Sequence, residues 1–350
     1  MKRRLALMVL WLIVFDQFVP RILEVLERRH YEGTKVFRFE NSDLFALGPL
    51  VEYLREHPRH ERRRVVFFGN SMIYGYFVRP EEAIPAQYQR LQPNTRVYNA
   101  GINGQEIGTG YLVGKDILDS VDVLYIQAVR GRTNEMLPSL IPVDDADLLR
   151  FNLARPDPVE SRLRSALGRV WKLYRYNYRL QAALFGTSTR VFIYKHKRDL
   201  ARMFRLPLLQ PASFAPIHGQ VSLRAPRRPG PVVPGIKADL AELARARGKR
   251  VVFIEFEFRD PVPDDGIATF NAAYAPFAET VIVHVPPEVT IDGMHATPAA
   301  AAQIAEVLIQ HELVTPSSRR LDGRRPGALG RRDAAAPAGA DAGVTTEAER

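Results

Sequence analysis

Residues 65–75 read Val-Val-Phe-Phe-Gly-Asn-Ser-Met-Ile-Tyr-Gly, and their pattern indicates both an architecture and a candidate site. Four consecutive apolar residues that end at a glycine are typical of a short strand buried on both faces. The chain must turn directly afterwards, and Ser71 lies in that turn, where a helix begins. In open α/β proteins this position is the carboxyl edge of the sheet, where ligands bind. A serine there can act as a nucleophile, although serines also serve simply as helix caps.

Four further segments have strand character and are separated by helical segments around 85–91 and 111–118. The strand candidates are Arg96–Asn99, Val121–Ile126, Arg250–Glu255 and Val281–Val285. Short apolar strands that alternate with helices indicate a parallel sheet with helices on both faces. The sequence therefore predicts an α/β fold, a three-layer α/β/α sandwich with a parallel central sheet.

A second polar motif lies far along the chain, where residues 291–298 read Ile-Asp-Gly-Met-His-Ala-Thr-Pro. Thr297 is a good N-cap and Pro298 a good first residue for the Ala-rich helix that follows. Asp292 and His295 are therefore expected on the loop before that helix, again at the carboxyl edge. A carboxylate this close to a histidine can fix the tautomer of the imidazole while its other nitrogen faces a serine.

Three blocks of this sequence together resemble those of SGNH (GDSL) hydrolases. They are Gly69-Asn70-Ser71 with Gly75, the run Asn-Ala-Gly-Ile-Asn-Gly at 99–104, and Asp292-Gly293-Met294-His295. The resemblance covers roughly residues 65–134 and 250–313. It implies a flavodoxin-like sandwich with Ser71 as nucleophile, His295 as base and Asp292 as its orienting partner. It also implies an oxyanion hole formed by Ser71, Gly101 and an asparagine of a third block.

The sequence departs from the family pattern in two places. Asn70 stands where an aspartate usually precedes the serine, a change we expect to be tolerated because that side chain is not the nucleophile. The third block should supply its asparagine soon after the strand that begins near Asp122, where residues 127–135 read Gln-Ala-Val-Arg-Gly-Arg-Thr-Asn-Glu. Asn134 is the candidate, and Arg130 could instead occupy the place and bind an anion.

The N-terminus reads as a signal anchor. Lys2, Arg3 and Arg4 precede an apolar run over 5–19 that is interrupted by Asp16, and no small-residue cleavage site follows. Residues 1–26 are therefore predicted to form a single transmembrane helix in the inner membrane, with the catalytic domain on the periplasmic side. A cleaved signal peptide and a buried N-terminal helix are the alternatives.

The rest of the chain divides by composition. Residues 27–64 are expected to be a juxtamembrane segment, 65–314 the hydrolase-like domain with an insertion at about 135–237, and 315–350 a disordered tail rich in Pro, Ala, Gly, Arg and Asp. Trp171, Tyr174 and Tyr178 in the insertion have a spacing that suits a packing face of a helix, and aromatic side chains could also stack on bases or sugars.

Composition narrows the possible functions. The chain has no cysteine, which excludes disulfides and thiolate chemistry, and its net charge of +10 favours anionic partners. His57 and His60 have no further metal ligand nearby, and the glycines at 101–110 do not match a dinucleotide loop. No cofactor or metal is predicted, and without a recognisable nucleic-acid-binding module no nucleic acid partner is expected.

The predicted function is that of a serine esterase or O-acyltransferase that works through an acyl-serine intermediate. The resemblance to anchored members of the superfamily favours an acylated envelope or extracellular glycan as substrate and a membrane O-acyltransferase as partner, and a small ester substrate is the other possibility. Whether water or a sugar hydroxyl accepts the acyl group is left open. The alternative is a catalytically weakened binding or assembly component for an anionic polysaccharide or a partner protein.

Overall fold

The computed structural model describes residues 2–33, 35–38, 47–58, 61–102, 107–128, 166–186, 189, 192–193, 196, 235–258 and 264–315. One sheet contains six strands, and each neighbouring pair runs parallel. The strands are β1 (Phe37–Arg38), β2 (Arg63–Phe68), β3 (Thr95–Asn99), β4 (Val123–Gln127), β5 (Arg250–Glu257) and β6 (Glu279–His284). Their order is β1-β3-β2-β4-β5-β6. Without the two-residue edge strand β1, this is the flavodoxin-like order.

Helices cover both faces of the sheet, which confirms the predicted α/β sandwich. They are α1 (Lys2–Tyr31), α2 (Leu47–Glu56), α3 (Ser71–Tyr74), α4 (Ile84–Leu91), α5 (Ile107–Ile117), α6 (Lys172–Arg175), α7 (Asn177–Phe185), α8 (Ile236–Ala246), α9 (Asp264–Tyr274) and α10 (Pro298–Val314). Because successive side chains of a strand point to opposite faces, β2 contributes to two separate cores. Val66 and Phe68 pack with residues of α2, α5, α8 and α9, and Val65 and Phe67 pack with residues of α3, α4 and α10.

The segment before residue 65 belongs to the same domain. Tyr31, Phe37, Leu47 and Leu54 are buried in the core on the α2 and α5 side of the sheet, and β1 pairs with β3. The predicted division between a juxtamembrane segment at 27–64 and a domain that starts at 65 is therefore wrong, because these residues complete one face and one edge of the sandwich. A two-residue strand is too short to produce a recognisable pattern in the sequence.

The N-terminal residues form one long helix, α1, whose first half is apolar and exposed. Leu7, Trp11, Phe15 and Phe18 are among its exposed side chains. In the part of the chain that the structure describes, no helix is both long and apolar enough to cross a membrane. The predicted transmembrane anchor at 1–26 is thus not supported. Most of the predicted insertion at 135–237 and residues 316–350 of the predicted tail lie outside the described residues.

Two buried acidic side chains of α1 connect it to the described part of the insertion. Asp16 accepts hydrogen bonds from the amides of Lys172 at 3.0 Å and Leu173 at 2.6 Å, and so caps the start of α6. Glu27 receives two hydrogen bonds from the guanidinium of Arg179 on α7, at 2.7 and 2.6 Å. Arg179 also donates to both carboxylate oxygens of Glu56 on α2 at 2.7 Å. One arginine therefore joins three helices.

We predict that Arg179→Met destabilises the protein by about 3–5 kcal/mol at neutral pH, measured by urea unfolding. The substitution leaves the carboxylate of Glu27, which is 1% exposed, buried without its countercharge. Lys115→Met is the matched control because the ion pair of Lys115 with Asp239 is partly exposed, and such pairs contribute about 1 kcal/mol or less. Equal losses in the two variants would contradict the assignment.

The loss of unfolding free energy caused by Arg179→Met should become smaller as the pH falls from 7 towards 5. Burial raises the pKa of Glu27 even with the arginine present, since desolvation outweighs the opposing effect of Arg179. Removal of the guanidinium raises that pKa further, so the folded state takes up a proton that the unfolded state binds only at lower pH. A raised carboxyl pKa in the folded state means that stability is recovered on acidification.

Candidate active site

Ser71 is the first residue of α3, directly after β2. The preceding residue, Asn70, is the N-cap, and its side-chain oxygen accepts from the amide of Met72 at 3.0 Å. Asparagine and aspartate cap helices about equally well, so the departure at position 70 leaves the helix start intact. Because Asn70 is the cap, the hydroxyl of Ser71 is not used to cap the helix and can face the sheet edge.

Gln127 fixes the turn before Ser71 from the neighbouring strand. This buried side chain at the end of β4 accepts from the amide of Asn70 at 3.0 Å through Oε1. The contact joins the ends of β2 and β4, which lie side by side where the strand order reverses. Gln127 was not among the predicted site residues. In the sequence, its role could have been recognised because Gln127 is a polar residue at the last position of an otherwise apolar strand.

His295 and Asp292 lie on a closed loop between β6 and α10. Thr290 and Ala296 form an antiparallel bridge, and the amide of Ile291 donates to the carbonyl of His295 at 2.7 Å. Gly293, at the tip, has a φ of +84° and donates its N–H to the hydroxyl of Thr290 at 2.9 Å. These contacts lie within the loop and stabilise its conformation. As predicted, Thr297 caps α10 and Pro298 is its first residue.

The three side chains meet in one continuous hydrogen-bonded chain. Nε2 of His295 lies 2.8 Å from Oγ of Ser71, and Nδ1 of His295 lies 2.8 and 2.9 Å from the two carboxylate oxygens of Asp292. An ionised carboxylate only accepts hydrogen bonds, so Nδ1 carries the proton and Nε2 is left as an acceptor for the serine hydroxyl. This is the tautomer that a histidine needs to act as a general base towards serine.

The environment of Asp292 keeps its carboxyl group ionised. Desolvation alone would raise its pKa, but hydrogen bonds from the His295 ring and from the amides of Met294 and His295 outweigh that effect. The pKa of Asp292 therefore lies below its ordinary value. The carboxylate remains an acceptor for Nδ1 in neutral and mildly acidic solution, where it can stabilise an imidazolium.

Asn99 holds the second block against the end of α3. From the end of β3, its amide group donates to the carbonyl of Ile73 at 2.9 Å, and its Oδ1 accepts from the amide of Gly101 at 3.0 Å. A β-carbon at Gly101 would lie 2.6 Å from the backbone nitrogen of Tyr74, so the close approach requires glycine. Asn99 entered the prediction only as a member of the 99–104 motif. Its contacts show that it is a positioning residue for Gly101 and α3.

The oxyanion hole stays a prediction. The Gly101 amide already donates to Asn99, so it could bind an oxyanion only by sharing or exchanging that hydrogen bond. The amide of Ser71 is a simpler donor, because the first amides of a helix have no partner within the helix. Asn134 and Arg130 lie outside the described residues.

A cavity of about 230 Å³, part of it open to solvent, leads to Ser71 and His295. Most of the residues that line it are apolar, and two aromatic residues among them, Tyr76 and Phe77, are half exposed. The ring of Phe77 contacts the ring of His295 edge to face, with centroids 4.9 Å apart. The nucleophile is therefore accessible from outside through an apolar opening.

Fold and site together define an α/β protein with a Ser-His-Asp triad at the carboxyl edge of a parallel sheet. No family model matches the sequence, and no curated protein sequence matches it. Among solved structures, similarity extends to a protein from Desulfitobacterium hafniense DCB-2 described as a lipolytic protein of the G-D-S-L family. It is 8% identical, with 71% of this chain and 99% of that chain covered and a TM-score of 0.32.

Two further structures are similar at the same low level. A two-domain esterase active on acetylated mannans is 12% identical over 86% of this chain and 60% of its own, with a TM-score of 0.34. The thioesterase domain from the curacin biosynthetic pathway is 12% identical over 71% and 92%, with a TM-score of 0.25. None of the three shares enough sequence or structure with this chain to establish a family. The functional conclusion rests on the site itself.

We predict that Gly293→Ala destabilises the 289–297 loop by about 1–2 kcal/mol, because its φ is unfavourable for any residue with a β-carbon. Nothing lies within 4 Å of the added carbon, so the cost comes from the backbone alone. Displacement of His295 should slow the labelling of Ser71 by a fluorophosphonate roughly ten- to a hundredfold.

Gly235→Ala is the matched control. Gly235 has a φ of +79° and equally open surroundings, but it lies at the start of α8. The Gly235→Ala variant should have its melting temperature lowered to a similar extent as Gly293→Ala and should keep an unchanged labelling rate. If Gly293→Ala loses stability and keeps its full labelling rate, the loop conformation does not control the position of His295.

Proposed function

We propose that this protein is a serine hydrolase or acyltransferase that cleaves carboxylic esters through an acyl-serine intermediate. The observation that carries the proposal is the 2.8 Å contact between Oγ of Ser71 and Nε2 of His295, together with the carboxylate of Asp292 on Nδ1. This arrangement supplies a nucleophile, a base with a free acceptor nitrogen, and a fixed negative charge to stabilise the protonated base.

The chemistry follows from the positions of the protons. His295 removes the hydroxyl proton of Ser71 as Oγ forms a bond to the ester carbonyl carbon. The resulting imidazolium is stabilised by Asp292 and returns the proton from Nε2 to the oxygen of the departing alcohol when the ester bond breaks. An incoming hydroxyl then gives its proton to Nε2 of His295 as its oxygen bonds to the acyl carbon. The bond between the acyl carbon and Oγ breaks, and His295 returns the proton to Oγ, which regenerates Ser71. Water as acceptor yields hydrolysis, and a second alcohol yields acyl transfer.

The negative charge on the carbonyl oxygen needs donors in the transition state. The Ser71 amide is the first candidate, and Gly101 and Asn134 stay predicted contributors. Loss of one such donor typically lowers turnover by about 100- to 1000-fold. The identity of the second donor therefore affects the rate by about two to three orders of magnitude.

We propose an acylated glycan as the substrate class. The net charge of +10 favours anionic partners, and an acidic polysaccharide is one of them. The inner-membrane location and the membrane O-acyltransferase partner stay predictions from the sequence.

A binding component with weakened catalysis is the second candidate function. One observation favours it, the engagement of the Gly101 amide by Asn99, which reduces the number of donors available to an oxyanion. In this alternative, substitution of Ser71 by alanine leaves the biological activity intact, and the basic surface of the protein carries the function.

The test compares p-nitrophenyl acetate turnover and fluorophosphonate labelling of the full chain with those of Ser71→Ala and His295→Ala. We expect labelling to disappear in Ser71→Ala and turnover to fall at least about 1000-fold in both variants. His284→Ala is the control, because His284 lies exposed at the end of β6. A wild-type protein that neither labels nor exceeds the variants in turnover would exclude the enzyme and favour the binding component.

A further inference from the structure

The two aromatic residues at the mouth of the cavity have no partner in the hydrophobic cores. Tyr76 is 50% exposed and Phe77 is 52% exposed, and they contact each other edge to face with ring centroids 4.8 Å apart. Their nearest functional neighbour is His295, whose ring centroid lies 6.2 Å from that of Tyr76 and 4.9 Å from that of Phe77. Large apolar side chains left exposed beside a nucleophile are typical of a ligand contact surface.

The direction of proton transfer indicates which part of the substrate contacts these rings. In the proposed reaction, Nε2 of His295 delivers its proton to the oxygen of the departing alcohol. That oxygen must therefore lie next to the imidazole when the ester bond breaks. Among the residues that the structure describes, Tyr76 and Phe77 are the aromatic side chains beside the imidazole, and both are half exposed. The alcohol portion of the ester consequently passes over these two rings.

The inner end of the cavity suits a small acyl group. Its wall is formed by side chains that are short or buried, among them Met72, Ala83, Ile84 and Ala301. Only a small part of the cavity is enclosed, so a short acyl group can lie against this wall and a longer chain would extend into solvent.

We infer that Tyr76 and Phe77 form a subsite for the alcohol portion of the substrate and that this alcohol is a pyranose ring. The inference rests on the proposed function and gives its substrate class a physical basis. The face of an aromatic ring carries negative charge and attracts the weakly positive C–H groups that line one side of a sugar ring. The subsite is half open to water, so the sugar hydroxyls on the other side remain solvated. A purely apolar alcohol would gain less from such an open surface.

Arg38 of β1 holds the loop that carries the two rings. One guanidinium nitrogen, Nη1, donates to the carbonyls of Tyr74, Gly75 and Val78 at 3.2, 3.0 and 3.4 Å. The guanidinium also lies 4.5 Å from the centroid of the Tyr74 ring. These contacts fix the backbone on both sides of Tyr76 and Phe77. A subsite that is ordered before the substrate arrives loses less conformational entropy on binding.

The test measures kcat/KM of the full chain for methyl 6-O-acetyl-glucopyranoside, ethyl acetate and octyl acetate. Phe77→Ala and Tyr76→Ala should each lower the value for the glycoside about tenfold, which is the lower end expected for loss of a half-covered aromatic contact. The value for ethyl acetate should fall less, so that the ratio of kcat/KM for the glycoside to kcat/KM for ethyl acetate decreases several-fold. Val307→Ala, at an exposed apolar position on α10, is the control and should change neither value.

Two results would overturn the inference. Equal losses for the glycoside and ethyl acetate would mean that the rings only position His295. A wild-type preference for octyl acetate over the glycoside, lost in Phe77→Ala, would mean that the surface binds alkyl chains.

Binding to Ser71→Ala separates this inference from the proposed function, because it requires no turnover. In that background, Phe77→Ala should weaken binding of the acetylated glycoside about tenfold, measured by NMR titration. If no ester is turned over and this binding difference persists, the esterase proposal fails and the sugar subsite stands. If turnover is normal and Phe77→Ala changes neither binding nor kcat/KM for the glycoside, the sugar subsite fails and the esterase stands.

Discussion

The common direction of the strands is the constraint on which the rest of the structure depends. Because β2, β3, β4 and β6 all run parallel, their carboxyl ends lie at one edge, and each end delivers a different functional group there. β2 ends at the turn with Ser71, and β6 leads to the loop with His295. Nε2 and Oγ belong to residues 224 positions apart, and one glycine with a positive φ lies near each of them, Gly75 after α3 and Gly293 in the loop.

Around this edge, the site is fixed from two sides by backbone contacts. Gln127 holds the turn before Ser71 from β4, and Asn99 holds the end of α3 from β3. The 289–297 loop maintains its own shape, so His295 and Asp292 reach Ser71 already oriented towards each other. The nucleophile and the base are thus positioned by separate parts of the fold. Small shifts between α10 and the sheet would change their separation without disturbing either part.

The sequence predicted the sheet and located the triad residues because both depend on local signals. Buried strands appear as apolar runs, and a cap followed by proline marks the start of α10 at Thr297. The edge strand β1 and the packing of α2 were missed, since their burial depends on distant partners such as Tyr98. The same holds for Asp16. It looked like an interruption of an apolar run, and its acceptor function becomes visible only when the amides of Lys172 and Leu173 are placed beside it.

The capping of α6 by Asp16 also bears on the order in which the chain is synthesised. Asp16 and Lys172 are 156 positions apart, and Glu27 and Arg179 are 152 apart. Synthesis proceeds from the N-terminus, so α1 leaves the ribosome long before either partner exists. Until those partners are made, the carboxylates of Asp16 and Glu27 must stay in contact with water. Docking of α1 at that stage would be unfavourable because it would bury both carboxylates without hydrogen-bond partners. The helix α1 therefore completes its contacts only after α6 and α7 have been made, and its docking closes a large loop of chain.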